Sequence, residues 1–396
     1  MAYRTLGTDR IMEVASAPGT GSVTLGGAVC GFRTFASVLA SADTVGYFIE
    51  GVDATGTTAA PWERGFATFT SASNTLARSI VIESSAGSGV TANFTGNVRV
   101  GVAPMTETTQ FYPQPGGRLS VISGNPYGDG STTGNLIWYL PFMHDKCPVW
   151  NNGGIQVLTI PAAGVSLNIA GCGAGTCWDV FAYNNAGALG LTMLAWASLT
   201  GRSTNVTYQN GFLCLQTQAA NRYLGSFYTT AGGTVYDTLN VAGGTGQPAK
   251  RLLWNMYNRI SRPAYMYDTT ASWNPVGSWR PIRGAVVPNA CVEVMRGLDE
   301  DAVIALGLVS GQAPNGPGFF GSVALDSATA TTPVGWGQVN NGNPGTVQSQ
   351  IAIPYAGLPG LGYHYLILCD NGGTSATISV IGWQSGSCSL IGTVRS

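Results

Sequence analysis

CWDVFAYNNAGALGLTMLAW (residues 177–196) decides the fold class. Two apolar and aromatic runs flank Asn184-Asn185-Ala186-Gly187, residue types that tolerate positive φ and so join neighbouring strands in a tight hairpin. The same plan recurs elsewhere. CPVW (147–150) meets IQVLTI (155–160) across Asn151-Asn152-Gly153-Gly154, and YHYLILCD (363–370) meets SATISVIGW (375–383) across Asn371-Gly372-Gly373-Thr374. In the last run Thr377 and Ser379 alternate with Ile378 and Val380, the pattern of a half-buried antiparallel strand. The chain is therefore predicted to be all-β and multi-domain, built from antiparallel β-sandwich or small-barrel modules. One segment reads two ways. PAKRLLWNMYNRIS (248–261) has Leu252, Leu253, Met256, Tyr257 and Ile260 at helical spacing, yet Leu252, Trp254 and Met256 alternate as in a strand. Both readings stand, with a slight lean to a short helix.

Composition narrows the function. Only 9% of the 396 residues are charged, against about 25% in an ordinary soluble domain. Lysine occurs at 146 and 250 only and histidine at 144 and 364 only, while 56 residues are glycine. Catalytic centres are assembled from His, Asp, Glu, Lys or Cys, and this chain has few to converge; a structural or binding protein is expected, not an enzyme. A hydrophobic content of 44% supports packed cores and argues against disorder. The net charge of -1 offers no basic footprint for nucleic acid. A near-neutral chain this poor in charge is prone to precipitate as a free monomer, so assembly is expected.

Arg4, Asp9, Arg10 and Glu13 occupy the place where a secretory signal would carry its apolar stretch. No apolar run reaches the ~18 residues of a membrane span, so no membrane insertion is expected. Folding in a cytoplasm would leave the cysteines at 30, 147, 172, 177, 214, 291, 369 and 388 as thiols. Cys172 and Cys177, in GCGAGTC, lack the usual spacing of zinc ligands and have no neighbouring histidine. They read as small buried hydrophobes. No metal site and no cofactor is expected.

Two Pro-rich stretches, GVAPMTETTQFYPQPGG (101–117) and SWRPIRGAVVPN (278–289), mark boundaries. They divide the chain into modules at 1–104, 117–284 and 285–396.

Other constellations read more simply as structure. Asp299, Glu300 and Asp301 are adjacent in sequence, so they diverge in a turn and do not face each other across a scissile bond as glycosidase carboxylates do. Glu83, Asp179, Asp268 and Asp370 are single acids at strand ends or turns. No Gly-x-Ser-x-Gly elbow accompanies His144 or His364. GGTGQ (243–247) is followed by Pro248, not by the Lys-Ser/Thr of a phosphate loop. The aromatics carry the one binding suggestion: Trp336 beside the amide-rich QVNNGNPGTVQSQ (338–350). It makes Trp336, Asn340, Asn341, Asn343 and Tyr355 the candidate contacts for a glycan. The alternative is that these rings fill β cores and subunit seams.

The phrases GTGSVTL, GFRTF, YFIEG, WERGFATFT and TLAR, with Asp9-Arg10 and Glu13, make residues 1–104 resemble the N-terminal module of tailed-bacteriophage appendage proteins: tail fibres, minor tail proteins and head spikes. Residues 118–284 resemble the module that often follows, through RLSVISGNP, IWYLPF, GFLCLQTQAANRYLGSFYTT, KRLLWNMYNRISRP and DTTASW. FMHDKCPVWNNGG (142–154) departs from the family's phrasing there and introduces His144 and Cys147, and the last third is similar only loosely. The resemblance implies a virion structural component assembled in the bacterial cytoplasm. It implies an elongated homotrimeric fibre or spike whose N-terminal domain holds other tail or head proteins and whose C-terminal domain faces a host glycan or protein. Its rivals are an architectural adaptor or head decoration anchoring another receptor-binding protein, and a virion polysaccharide depolymerase.

Overall fold

The computed structural model describes residues 10–52, 58–103, 114–151, 154–239, 248–268, 273–285, 290–312, 319–327, 329, 335–338, 349–372, 379–380 and 388–396. The fold is all-β with several antiparallel sheets, and among the described residues the helical turns are two short 3-10 segments, Phe35–Ser37 and Ile282–Gly284. It divides into two compact units, residues 1–113 with 148–157, and residues 114–147 with 158–396.

Among the described residues, 12–102 of the first unit form a seven-stranded sheet. Its central strands Thr44–Val52, Thr58–Thr70 and Thr75–Ser84 alternate well enough to put Val45, Tyr47, Ile49, Ala67, Phe69 and Leu76 into one core with Phe35, Phe94 and Val100. The first strand, Met12–Ser16, pairs with Asn97–Val102, while Val14 exchanges backbone bonds with Gly26 and Gly27. The sheet thereby curls nearly closed. Gly65 sits at a bulge where a Cβ would come within 2.1 Å of the Ile80 carbonyl oxygen, so only glycine lets those strands approach.

In the second unit the hairpin read from residues 177–196 forms as Thr176–Asn185 paired with Ala188–Ala195. Its two-residue turn has positive φ at both Ala186 (49°) and Gly187 (93°), the twist that matches flanking strands. The expected hairpin of Lys146–Asn151 with Gly154–Thr159 also forms, and its residues 148–157 belong to the first unit. For the third expected hairpin, residues 373–378 and 381–387 lie outside the described residues. Ser379–Val380 pairs with the end of the Val303–Gln312 strand.

The last third of the chain builds a β-sandwich. One layer contains Cys291–Arg296, Phe320–Leu325 and Gly362–Asn371; the other runs in the order Ser261–Asp268, Cys388–Arg395, Val303–Gln312, Ser349–Gly357. Val294, Val323, Leu366 and Leu368 of the first layer share a core with Met266, Val309, Ile353 and Leu390 of the second.

Residues 248–261 hold no helix, against the lean stated above. Lys250–Arg251 pairs in parallel with Cys291–Arg296, and Leu253–Asn255 pairs with Gln218–Thr229. Arg251 through Asn255 are all buried, because the segment crosses the interior and both faces are covered. A helix would have buried one stripe only. Strands from 250–281 also pair with strands from 291–395, so the stretches on either side of residue 285 share two sheets within one unit.

Candidate functional site

The candidate glycan contacts are placed as follows. Tyr355 is 7% exposed and belongs to the sandwich core beside Ile353 and Val303, so its ring presents no face to a sugar. Its strand alternates, and Tyr355 falls on the inward parity. Trp336 lies in the Gly335–Gln338 strand opposite Ser322, and Asn340, Asn341 and Asn343 lie outside the described residues.

The acids mostly do a different job from the one their spacing suggests. Seven carboxylates are buried among the described residues, and each is engaged by a cation or by backbone N–H groups. In the first unit the Glu13 carboxylate accepts from Phe35 N (2.6 Å) and Gly27 N (3.1 Å). Glu63 accepts from Arg78 (3.2 Å), Tyr47 Oη (2.5 Å) and Ala92 N (2.7 Å), while Arg78 also donates to the Gly19 and Gly21 carbonyls. Burial and the Glu63 carboxylate push the Tyr47 pKa well above its ordinary value, which keeps the phenol a donor.

The second unit repeats the device. Arg202 forks onto Asp179 (2.6 and 3.1 Å), which also accepts from Ser226 (2.6 Å), and the guanidinium lies against the Trp196 and Tyr223 rings. Asp237 is held by Arg251 (3.1 Å) and Arg262 (2.8 Å). Glu293 pairs with Lys250 (2.7 Å) and accepts from Tyr363 (2.9 Å). Asp370 accepts from Trp273, Arg280 and the Arg283 backbone, and Arg283 reaches Asp268 at 2.5 Å. A carboxylate held this way is buried and tied to fixed cations or N–H groups, and it fixes the geometry of strands far apart in sequence.

The acidic turn is neutralised as well. Arg259 bridges Glu300 (2.5 Å) and Asp301, and Arg395 reaches Asp301 at 3.5 Å. His364 Nδ1 is bonded to Asp326 (2.7 Å), and His144 Nδ1 accepts from Lys146 N (3.1 Å). The eight cysteines are free, seven of them buried, and burial pushes the Cys177 and Cys369 thiols up to about 12. Among the described residues no three His, Cys, Asp or Glu side chains group as metal ligands.

One surface was not singled out by motif. The outer face of the Ser261–Asp268, Cys388–Arg395, Val303–Gln312, Ser349–Gly357 layer exposes Ile304 (60%), Ile391 (50%) and Leu306 (38%) side by side. The signal for it was present in VIALGLV (303–309), which is apolar at both parities.

No protein-family model matches the chain, and no curated protein matches it. Among solved structures, the infectious bursal disease virus VP2 subviral particle is 10% identical, with 97% of this chain and 71% of that chain covered and a TM-score of 0.23. The infectious bursal disease virus Gx strain structure is 9% identical over 97% and 71%, with a TM-score of 0.22. The insecticidal delta-endotoxin Cry8Ea1 from Bacillus thuringiensis is 10% identical, with a TM-score of 0.19; the match covers 71% of this chain and 52%, about half, of the toxin chain.

Proposed function

We propose that the protein is a structural subunit of a tailed-bacteriophage particle, a homotrimeric fibre or spike that is not an enzyme. Its N-terminal unit attaches to other virion proteins, and its last third carries the host contact, centred on Trp336 and the amide-rich sequence 338–350. The observation that supports this reading is the commitment of the buried carboxylates to cations or backbone N–H groups. A chain with 9% charge spends much of it on internal clamps that join strands far apart in sequence. In the first unit, moreover, the phrases that carry the family resemblance meet in two of these clamps. GTGSVTL, YFIEG, WERG and TLAR supply Gly19, Gly21, Tyr47, Glu63 and Arg78, and GFRTF supplies Phe35 for Glu13.

Particles of the encoding phage, purified by density gradient and analysed by quantitative mass spectrometry, should contain the protein in multiples of three. Its absence from purified particles would sink the reading. Recombinant protein should also block adsorption when added to host cells first, and Trp336→Ala should weaken the block. Undiminished adsorption by particles lacking 285–396 would favour the adaptor.

A further inference from the structure

One buried cation in this fold has no counter-charge. Arg296 ends the Cys291–Arg296 strand and is 1% exposed, and none of its three guanidinium nitrogens has a hydrogen-bond partner. The other buried arginines among the described residues are all engaged: Arg118, Arg222, Arg251 and Arg262 each donate to a carbonyl, a hydroxyl or a carboxylate. Arg296 shares the parity of Val292 and Val294, so it stands on the inner face of its sandwich layer, at the end where residues 297–302 cross to the other layer. The acids nearest in charge are Asp301, Asp299 and Glu300. Arg259 already bridges Glu300 and Asp301, Arg395 also reaches Asp301, and Asp299 is exposed. Arg259 adds a like charge. The Tyr355 hydroxyl lies at the same corner beside Gly357, within electrostatic reach of Arg296 and Asp326.

The backbone around Arg296 is packed too closely to carry the guanidinium outward. At Gly362, its partner in the ladder, a Cβ would come within 2.0 Å of the Leu199 carbonyl oxygen, and at Gly297 within 2.2 Å of Tyr223 Oη. Nor does the charge vanish, because a guanidinium stays protonated at neutral pH even where burial lowers its pKa. A buried charge left without an opposite one is strongly destabilising. We propose that Arg296 holds a small inorganic anion, chloride, enclosed as the two sandwich layers close, with the Tyr355 hydroxyl as a second donor. Size selects a halide. The three nitrogens are shut off from solvent, so the ion must need little more room than one water, and a tetrahedral oxoanion such as phosphate is too large. Charge selects it as well, since one negative charge balances one guanidinium. The site goes beyond the fibre or spike reading and holds for any assembly of the chain.

The test is thermal unfolding of the intact chain as sodium chloride replaces sodium gluconate at constant ionic strength, gluconate being too large to enter. A ligand held only by the folded chain stabilises it with the logarithm of its concentration above Kd, so the wild type should gain about 5 °C. Arg296→Met, which removes the cation and keeps an unbranched side chain, should gain less than about 1 °C. No gain in the wild type, or an equal gain in both proteins, would overturn the site. A gain in sodium phosphate larger than that in chloride would overturn the halide assignment. Should Arg296→Met not fold, wild-type crystals grown in bromide decide. An anomalous peak within about 3.5 Å of the Arg296 nitrogens is expected. A water in that place, or Asp301 turned onto the guanidinium, would overturn the proposal. Bromide at Arg296 with a flat melting response would mark an adventitious ion only and overturn it equally.

Discussion

The outer faces of two sheets in this protein follow the same alternation and end in opposite chemistry. In the first unit, Glu50 stands opposite Arg99, and Arg64 pairs with Glu83 at 3.3 Å with both side chains part-exposed, so charges ladder across the face beside Trp62. In the second unit, the outer rows Pro263, Thr393, Ile304, Ala356 and Tyr265, Ile391, Leu306, Pro354 carry no charge. Charge is thus not merely scarce but placed. One face carries opposed charges, and the other carries exposed apolar side chains. Their interiors share the clamp device: the first unit buries the Glu63–Arg78 pair within its sheet, and the inward parity of Ser261–Asp268 buries Arg262 and Asp268, each paired with an opposite charge.

The sharpest way to break the comparison is to remove the cation from the first interior. Arg78→Ala strands a Glu63 that is fully buried, and removing one partner of a buried pair costs about 3–5 kcal/mol. Denaturant titration should show the first unit unfolding earlier with the second unchanged. A loss near zero would mean that Glu63 is held by Tyr47 and Ala92 alone.

A second contrast sets the two parities of the sandwich against each other. Ile353 is 1% exposed and Ile304 60%. Ile353→Ala should cost about 2–5 kcal/mol through lost burial and the cavity left behind. Measured where the chain is monomeric, Ile304→Ala should stay within about 0.5 kcal/mol of wild type. Equal losses would refute the division into covered and uncovered faces.

A gentler probe is pH. Burial lowers the His144 pKa from its ordinary 6.5, and only the neutral ring can accept the Lys146 N–H at Nδ1. The unfolded chain therefore takes up the proton first. Stability is full above 6.5 and declines as pH falls through that value toward the lower folded pKa. His144→Asn, which keeps an acceptor but does not titrate, should flatten that part of the pH–stability curve; an unchanged curve would refute the assignment.

The smallest effect is expected on the wet face. Glu83→Gln should cost about 0.2–1 kcal/mol, vanishing in high salt, since its pair with Arg64 is half in water. A larger, salt-independent loss would mean that this face is covered.

Much of the fold was legible because its signals are local. Asn184 to Gly187 specified a hairpin whose turn needs positive φ at two successive residues, and that depends on the four residues themselves. The candidate site was legible only in part. Tyr355 belongs to the run IAIPYAG (351–357), where apolar residues fall on both parities, and periodicity does not say which parity faces the core. Asp179, Asp268 and Asp370 passed as ordinary turn acids because their partners stand 23, 15 and 90 residues away.

The sequence by itself determined the all-β class, the hairpin whose turn holds Ala186 and Gly187 at positive φ and the scarcity of charge, since each follows from neighbouring residues or from composition. Only the tertiary structure decided the rest: which acids became buried clamps, that residues 251–255 are covered on both faces, and that Tyr355 points inward while Ile304, Leu306 and Ile391 point out. The physical reason is that a strand's alternation records how many of its faces are apolar, whereas burial is settled by the sheet that packs against it, from residues elsewhere in the chain.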